Sequence, residues 1–267
     1  LAVCKRLIKE GCAITIWDLN GNALEEAYKQ LKVSNTSNLF VYQCNVADRK
    51  RVQTLVRQAR NDMGRIDILI NNAAFVRHGK FWEQPVENAV MQMDINVNSL
   101  FYTIHAVLPD MLARDSGHIV NVSSGVAFAS APGFAAYTTS KWAVWGLTDV
   151  LRLEVLAEGK TGIKFSSVHP GNIASGMFEG FKLNWLGALF SPPIKDHDEI
   201  ARAIVESALK KGKHIVVHPK GLYLPIILRG LIPDKLMGKL ALLFGLANGV
   251  KGFKGRKGLI HSRPDED

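Results

Sequence analysis

The sequence predicts a doubly wound α/β fold, a mostly parallel sheet with a layer of helices on each face, and three observations carry that prediction. Short apolar runs rich in β-branched residues alternate with longer amphipathic ones, the pattern of right-handed βαβ crossovers. The 267 residues, 47% hydrophobic and 21% charged, suit one large core better than two small ones. The alternation continues to about residue 217 with no internal repeat or low-complexity stretch.

A helix over 1–10 comes first; its opening "LAVCKRLIKEG" lacks the uninterrupted apolar run of a signal peptide. "AITIWD" (13–18) reads as a strand, followed by a helix over 21–33, the strand "LFVYQC" (39–44) and a helix over 48–63. "IDILI" (66–70) is the third strand, and a long helical pattern covers 87–113. "GHIVNVSS" (117–124) is a strand whose last two serines fall at the carboxyl edge of the sheet, where folds of this class bind ligands. A helix over 136–158, the strand "GIKFSSV" (162–168), a helix over 196–211 and the strand "HIVV" (214–217) complete the series. The helical patterns 92–113 and 136–158 are apolar around nearly their whole circumference, which requires burial on two sides. The sheet supplies one side, and a subunit interface in a homodimer or homotetramer is expected to supply the other.

Cys4, Cys12 and Cys44 form no CxxC pair and cannot make a complete disulfide framework, so a reducing, cytoplasmic compartment is expected. The formal charge of +9 is concentrated near the end: 210–257 holds eleven Lys or Arg against one acid, Asp234. No nucleic-acid motif accompanies that charge, and nucleic acid is not an expected partner. His214 and His218 lie four apart on a strand, about 13 Å along one face and too far for a shared metal, so no metal site is predicted.

The stretch "SSGVAFASAPGFAAYTTSK" (123–141) carries the chemistry. Tyr137 and Lys141, at i and i+4, share one helix face next to the serines that end a strand. A phenol with a pKa near ~10 becomes an acid or base near neutrality only when its anion is stabilised, as a neighbouring ammonium does. A serine hydroxyl on the same substrate oxygen would hold it and stabilise developing charge. These parts suit hydride transfer between a carbinol carbon and a nicotinamide.

With Ser124, Tyr137 and Lys141 at their mutual spacing, the chain from Leu1 to about Val217 resembles the short-chain dehydrogenase/reductase family, whose fold is Rossmann-like with three αβα layers. "NNAA" (71–74), which includes Asn72 and Ala73, resembles the family's Asn-Asn-Ala-Gly segment, and "INVNSLF" (95–101) the segment with its fourth catalytic residue. Counting back from Pro109 matches that residue to Asn96, with Asn98 as the alternative. "HPGNIAS" (169–175) resembles the Pro-Gly turn over the nicotinamide and assigns Pro170, Gly171, Ile173 and Ser175 to the cofactor. The resemblance implies an NAD- or NADP-dependent oxidoreductase with catalytic residues Ser124, Tyr137, Lys141 and Asn96. Tyr137 and Lys141 would also touch the cofactor, Lys141 at its nicotinamide ribose. Asp18 matches the acid that accepts the adenosine ribose hydroxyls and favours NAD over NADP, while Asn45 and Val46 stand beside the adenine.

The family's first strand and Gly-rich turn have no counterpart, because "LAVCKRLIKEGCAITIWD" aligns with the helix and strand that follow them. The expectation is a shortened chain, lacking a strand between those at 13–18 and 66–70. Ala74 and Ser175 stand where the family has Gly and Thr, and Asn45 where it often has Asp.

The apolar stretch "MFEGFKLNWLGALFSPP" (177–193) reads as a lid over a hydrophobic alcohol or carbonyl substrate, or as a lid packed on the core. Residues 1–220 form the dehydrogenase-like domain and 221–267 a basic, apolar extension. In it Leu236, Met237, Leu240, Leu243 and Phe244 fall on one helical face beside Lys235 and Lys239, which fits a peripheral membrane contact through 221–258 or a helix docked on the substrate pocket. The main function expected is interconversion of a hydrophobic secondary alcohol and ketone, or alcohol and aldehyde; the alternative is a non-catalytic membrane-associated scaffold. Without the Gly-rich turn, NAD affinity weaker than micromolar and poorly protected strand amides are expected. Titration of tryptophan fluorescence and hydrogen exchange test this, and micromolar NAD binding with well-protected strands would refute it.

Overall fold

In the computed structural model, which describes residues 1–32, 38–174, 176–249 and 253, helices and strands alternate in the predicted order. Helix α1 (Ala2–Lys9) leads into β1 (Ile14–Asp18), α2 (Gly21–Lys32), β2 (Leu39–Gln43), α3 (Arg49–Met63) and β3 (Ile68–Asn71). After α4 (Val86–Met93) and α5 (Ser99–Arg114) come β4 (Gly117–Val122), α6 (Ala135–Ala157), β5 (Ile163–Pro170), α7 (Trp185–Phe190), α8 (His197–Arg202) and β6 (Ile215–His218). The chain then folds into α9 (Tyr223–Leu231), α10 (Asp234–Leu243) and α11 (Leu246–Gly249).

All strand pairings are parallel, but they form two sheets: β1 with β2, and β3-β4-β5-β6. β1 and β3, the strands expected to flank a further one, are not paired with each other. Alternate residues of a strand point to opposite faces, and the core follows. Ile119 of β4 and Phe165 of β5 pack with Val52, Val56, Ile104, Val107 and Val144 of α3, α5 and α6. Val120, Val168 and Val216 pack on the other face with Ile200, Ile204 and Ala208. Because β4 and β5 are covered on both faces they read as near-continuous apolar runs. Each large side chain buried there stabilises the fold by roughly 1.5–3 kcal/mol.

Within that core a polar chain runs along the face of β3 and β4 that α5 and α6 cover. Thr103 of α5 donates to Asn71 Oδ1 at 2.8 Å, Asn71 donates to Asn121 Oδ1 at 2.8 Å, and Asn121 donates to Thr148 of α6 at 3.0 Å. Every link is a satisfied donor, which is what makes buried amides tolerable between hydrophobic layers.

Three sequence expectations change. The pattern over 87–113 is not one helix, because a widened π turn (Asp94–Asn98) separates α4 from α5. A second widened segment (Ala203–Lys210) continues α8. Strand β4 ends at Val122, so Ser123 and Ser124 follow the strand rather than end it; Ser124 instead caps a short 3₁₀ turn (Gly125–Ala127).

The two apolar helices each bury one face. On the other, Phe101 of α5 and Trp142, Val150, Leu153 and Leu156 of α6 remain between 37% and 50% exposed. Among the described residues no helix is long and apolar enough to cross a membrane.

Candidate active site

The site lies where β4 gives way to α6, and reciprocal bonds set that junction. The Lys141 ammonium donates to the Val122 carbonyl at 2.9 Å, and the Ser123 hydroxyl donates to the Lys141 carbonyl at 2.8 Å. Tyr137, one turn earlier on α6, and Ser124, one residue past Ser123, are thereby brought together, close enough for the Ser124 hydroxyl to favour the phenolate.

Asn96 braces the same junction from the π turn. Its Oδ1 accepts from Phe75 N at 2.7 Å, and its Nδ2 donates to Phe75 O and to Ser140 Oγ, each at 2.9 Å. The extra residue in a π turn lets one side chain leave the helical register, and here it faces inward with only 1% exposure. Asn98, the alternative, donates to Asp94 within its own turn.

The electrostatics differ from the expectation in one respect. Burial raises the Tyr137 phenol above its ordinary value, and the hydrogen bond with Ser124 only partly opposes this. Burial also pushes the Lys141 ammonium down to about 8. The ammonium points at the Val122 carbonyl and lies 5.6 Å from the centre of the Tyr137 ring, so loss of hydration outweighs its stabilisation of a phenolate.

Beneath Ser124 lies His169, fully buried. Its Nδ1–H donates to the Ser124 carbonyl at 3.3 Å, leaving Nε2 to accept from Ser167 Oγ at 3.0 Å. The signal for it was the histidine of "HPGN", which the family resemblance read only as part of the Pro-Gly turn.

Outside α6, the described positions expected to hold a dinucleotide lie at or just past the carboxyl ends of strands. Asp18 ends β1, with its carboxylate exposed and accepting from Asn20 N at 2.9 Å. Asn45 accepts from Ala47 N past β2, Val46 is half-buried beside it, and Asn72 and Ala73 are exposed after β3. Pro170 ends β5, Ile173 bridges to Ile194, and Ser175 lies outside the described residues. At Gly171 an added Cβ would come within 2.8 Å of Pro219 Cδ and 3.0 Å of Ser191 Oγ, so the turn admits no side chain. An exposed carboxylate at one end and a buried ammonium at the other fit the two riboses of a nicotinamide dinucleotide. No named residue supplies a pyrophosphate contact.

A cavity of about 370 Å³ opens beside Ser124 and Gly171. Phe178, Phe181 and Phe190 from the predicted lid form one wall, and Leu228, Met237, Leu240 and Phe244 from the extension form another. Asn172 donates to the Phe181 carbonyl at 3.1 Å, tying lid to turn. Gly187 lets α7 approach the end of α10 closely, since a Cβ there would collide with the Phe244 carbonyl. Arg229 of α9 lies 4.1 Å over the Trp142 ring and donates to the Phe128 carbonyl at 2.9 Å, clamping the extension to α6.

The lid therefore shapes a cavity rather than only covering the core. The predicted single apolar face of the extension is split: Met237, Leu240 and Phe244 line the cavity, while Leu236 and Leu243 are exposed. The portions of 221–258 at 250–252 and 254–258 lie outside the described residues. His214 and His218 face separate carboxylates, Asp149 at 3.2 Å and Glu199 at 3.1 Å.

A parallel α/β sheet with tyrosine, lysine and serine converging at its carboxyl edge, next to an apolar cavity, defines a nicotinamide-dependent dehydrogenase. The family profile described as short chain dehydrogenase matches residues 1–184. Epidermal retinol dehydrogenase 2 of Homo sapiens is 30% identical over 247 residues, covering 92% of this chain and 79% of that protein. The 17-beta-hydroxysteroid dehydrogenase 13 of Rattus norvegicus is 30% identical, with 86% and 74% covered. A short-chain dehydrogenase structure from Streptomyces avermitilis superposes with a TM-score of 0.72 at 22% identity, covering 90% of each chain, which shows the shared fold. The chain belongs to the short-chain dehydrogenase family and is an NAD(P)-dependent oxidoreductase acting on CH–OH groups; the scaffold alternative is not favoured.

Burial gives His169 a folded pKa of about 3, below its ordinary 6.5. As pH falls, the unfolded chain takes up this proton first, so the stabilising contribution is complete above ~6.5 and is lost between ~6.5 and ~3. Urea melts across that window should show a loss of up to about 1.4 kcal/mol per pH unit from this ring. His169→Asn should flatten the slope; an unchanged slope would contradict the assignment.

Proposed function

We propose that the protein interconverts a hydrophobic alcohol and its carbonyl compound with NAD, using Tyr137 as general acid/base. The convergence of the Ser124, Tyr137 and Lys141 side chains beside an apolar cavity carries this reading. When bound, the cofactor would supply the hydride acceptor for the carbinol carbon in oxidation and the hydride donor in reduction. Ser124 donates to the substrate oxygen and holds it against Tyr137. Tyr137 takes the hydroxyl proton in oxidation and returns it in reduction. Lys141 holds the nicotinamide ribose and, protonated below about 8, carries positive charge beside the phenol. Asn96 fixes the 72–76 segment against α6 and supports the proton relay. Asp18, Asn45 and Val46 hold the adenosine end, and Asn72, Ala73, Pro170, Gly171, Ile173 and Ser175 the remainder, with the Asp18 carboxylate disfavouring a 2′-phosphate.

The retinol and hydroxysteroid dehydrogenases among the relatives support a bulky apolar alcohol as substrate. At millimolar cofactor, Tyr137→Phe should lower kcat for such an alcohol at least ~10²-fold, the usual worth of a positioned acid/base. Asp18→Ala should narrow the NAD preference. Retained turnover in the tyrosine variant would remove Tyr137 from the role.

A second reading concerns surroundings rather than chemistry. Trp185 and Leu189 of α7, Ile227 and Leu231 of α9, and Leu242 and Leu243 of α10 are all more than half exposed. With Lys235 and Lys239 they suit an anionic membrane surface, while the open faces of α5 and α6 suit a homodimer or homotetramer. Flotation with phosphatidylserine vesicles at low salt should carry the protein upward, and light scattering should return two or four times 29.4 kDa. Protein left at the bottom of the gradient, or a monomer mass, would sink the respective half of this reading.

A further inference from the structure

We infer that Arg229 of α9 makes one end of the cavity a subsite for an anionic group. The substrates held best are then amphipathic, with an apolar body, the reacting carbinol at one end and a carboxylate at the other. The inference deepens the oxidoreductase reading and rests on it for the carbinol end.

Among the described residues that line the cavity, Arg229 alone is charged. No described Asp or Glu lines it, and no described carboxylate pairs with this guanidinium. The guanidinium lies over the Trp142 ring, 4.1 Å from its centre, and one N–H, on Nη1, donates to the Phe128 carbonyl at 2.9 Å. Arginine carries five N–H donors in a planar fork, and stacking occupies the face of that plane while leaving its edge free. No acceptor among the described residues takes the other donors, and no guanidinium nitrogen is sealed from solvent without a partner. The edge is therefore open to a ligand. Ser130, two residues past the carbonyl that Arg229 holds, brings an exposed hydroxyl to the same wall.

The spacing suits a ligand that touches both ends. One 3₁₀ turn, Gly125–Ala127, separates Ser124 from Phe128, and at about 2 Å of rise per residue the two lie roughly 8 Å apart. Most of the remaining wall, with Phe181, Leu228 and Leu240, is apolar and fits the spacer between carbinol and anion. The basic extension adds to the attraction: Lys235 and Lys239 of α10 are exposed, and a field of that sign speeds the arrival of an anion. A lipid phosphate offers the same charge, but the helix turns Arg229 away from the surface that suits a membrane. Ile227 and Leu231, both more than half exposed, stand two positions from Arg229, and residues two apart do not share a helix face. Pro225, one turn earlier on the Arg229 face, lines the cavity.

The acid ω-hydroxyoctanoate and its amide make a matched pair, equal in length and in carbinol and differing only in charge at the far end. Isothermal titration of the full chain at low salt with NAD present should favour the carboxylate by about tenfold, the low end of the worth of a hydrogen bond to a charged group. High salt should shrink that ratio. Arg229→Lys keeps the charge but loses the fork and should retain about threefold, and Arg229→Met should bring the ratio within about twofold of unity. If Arg229→Met frees the extension from α6 and lowers the Tm, the salt series on the unaltered chain and the lysine variant decide. A carboxylate bound no tighter than its amide, a preference indifferent to salt, or a ratio that a folded Arg229→Met keeps overturns the inference. So does an Arg229→Met that loses flotation with phosphatidylserine vesicles while keeping the ratio, since the arginine then serves a lipid headgroup. Turnover of the same pair separates the two claims. No oxidation of either with the binding ratio intact removes the oxidoreductase reading and leaves the subsite, whereas oxidation of both with equal KM and equal affinity removes only the subsite.

Discussion

The exchange of hydrogen bonds between the end of β4 and the first turns of α6 is the constraint on which the site depends. A lysine ammonium in an apolar interior loses most of its hydration, and a single carbonyl does not repay that loss, which is why Lys141 is depressed to about 8. The cost is accepted at one point, between two elements already fixed by core packing on Ile119 and Val144. Tyr137 and Ser124 inherit their positions from it, because neither has freedom to move once residues 122, 123 and 141 are locked.

Around this junction the polar groups are arranged as braces. Asn96 spends both amide hydrogens and its oxygen on the Phe75 peptide and Ser140, so the chain after β3 and the catalytic helix move as one body. The Thr103–Asn71–Asn121–Thr148 chain repeats the device one layer deeper, joining α5 to α6 through two strands. His169 supports Ser124 from below in the neutral form, and its aromatic neighbours Phe128 and Trp145 keep water from charging it. Each brace links elements distant in sequence, so the precision of the site is a property of the packed fold.

Much of this was legible beforehand because it depends on local rules. Strand and helix order follows from hydrophobic period, and the i, i+4 relation of Tyr137 and Lys141 follows from helix geometry. What was not legible depends on competition between similar choices. A π turn leaves almost no trace in a hydrophobic pattern, so 87–113 read as one helix. The extension presents apolar residues on more than one side, and periodicity cannot say which of Met237 and Leu236 turns inward. That choice is made by Gly187 and the Arg229–Trp142 contact, both of which need the tertiary structure to exist first. The direction of the Lys141 ammonium was likewise set by a backbone carbonyl that sequence spacing does not reveal.

The cavity is built from two unequal parts of the chain. Its floor, with Ser124 and Gly171, belongs to the segment that matches the family profile, whereas Leu228, Met237, Leu240 and Phe244 come after it. Reactivity thus belongs to the matched segment, whereas recognition is shared between that segment, through Phe178 and Phe181, and the helices after β6, which Arg229 clamps to α6. The helices after β6 lie outside the sheet core, so substitutions on their cavity-facing sides leave the acid/base machinery in place, and exchanging α9 to α11 is a route to redirecting selectivity while the reaction itself is inherited unchanged.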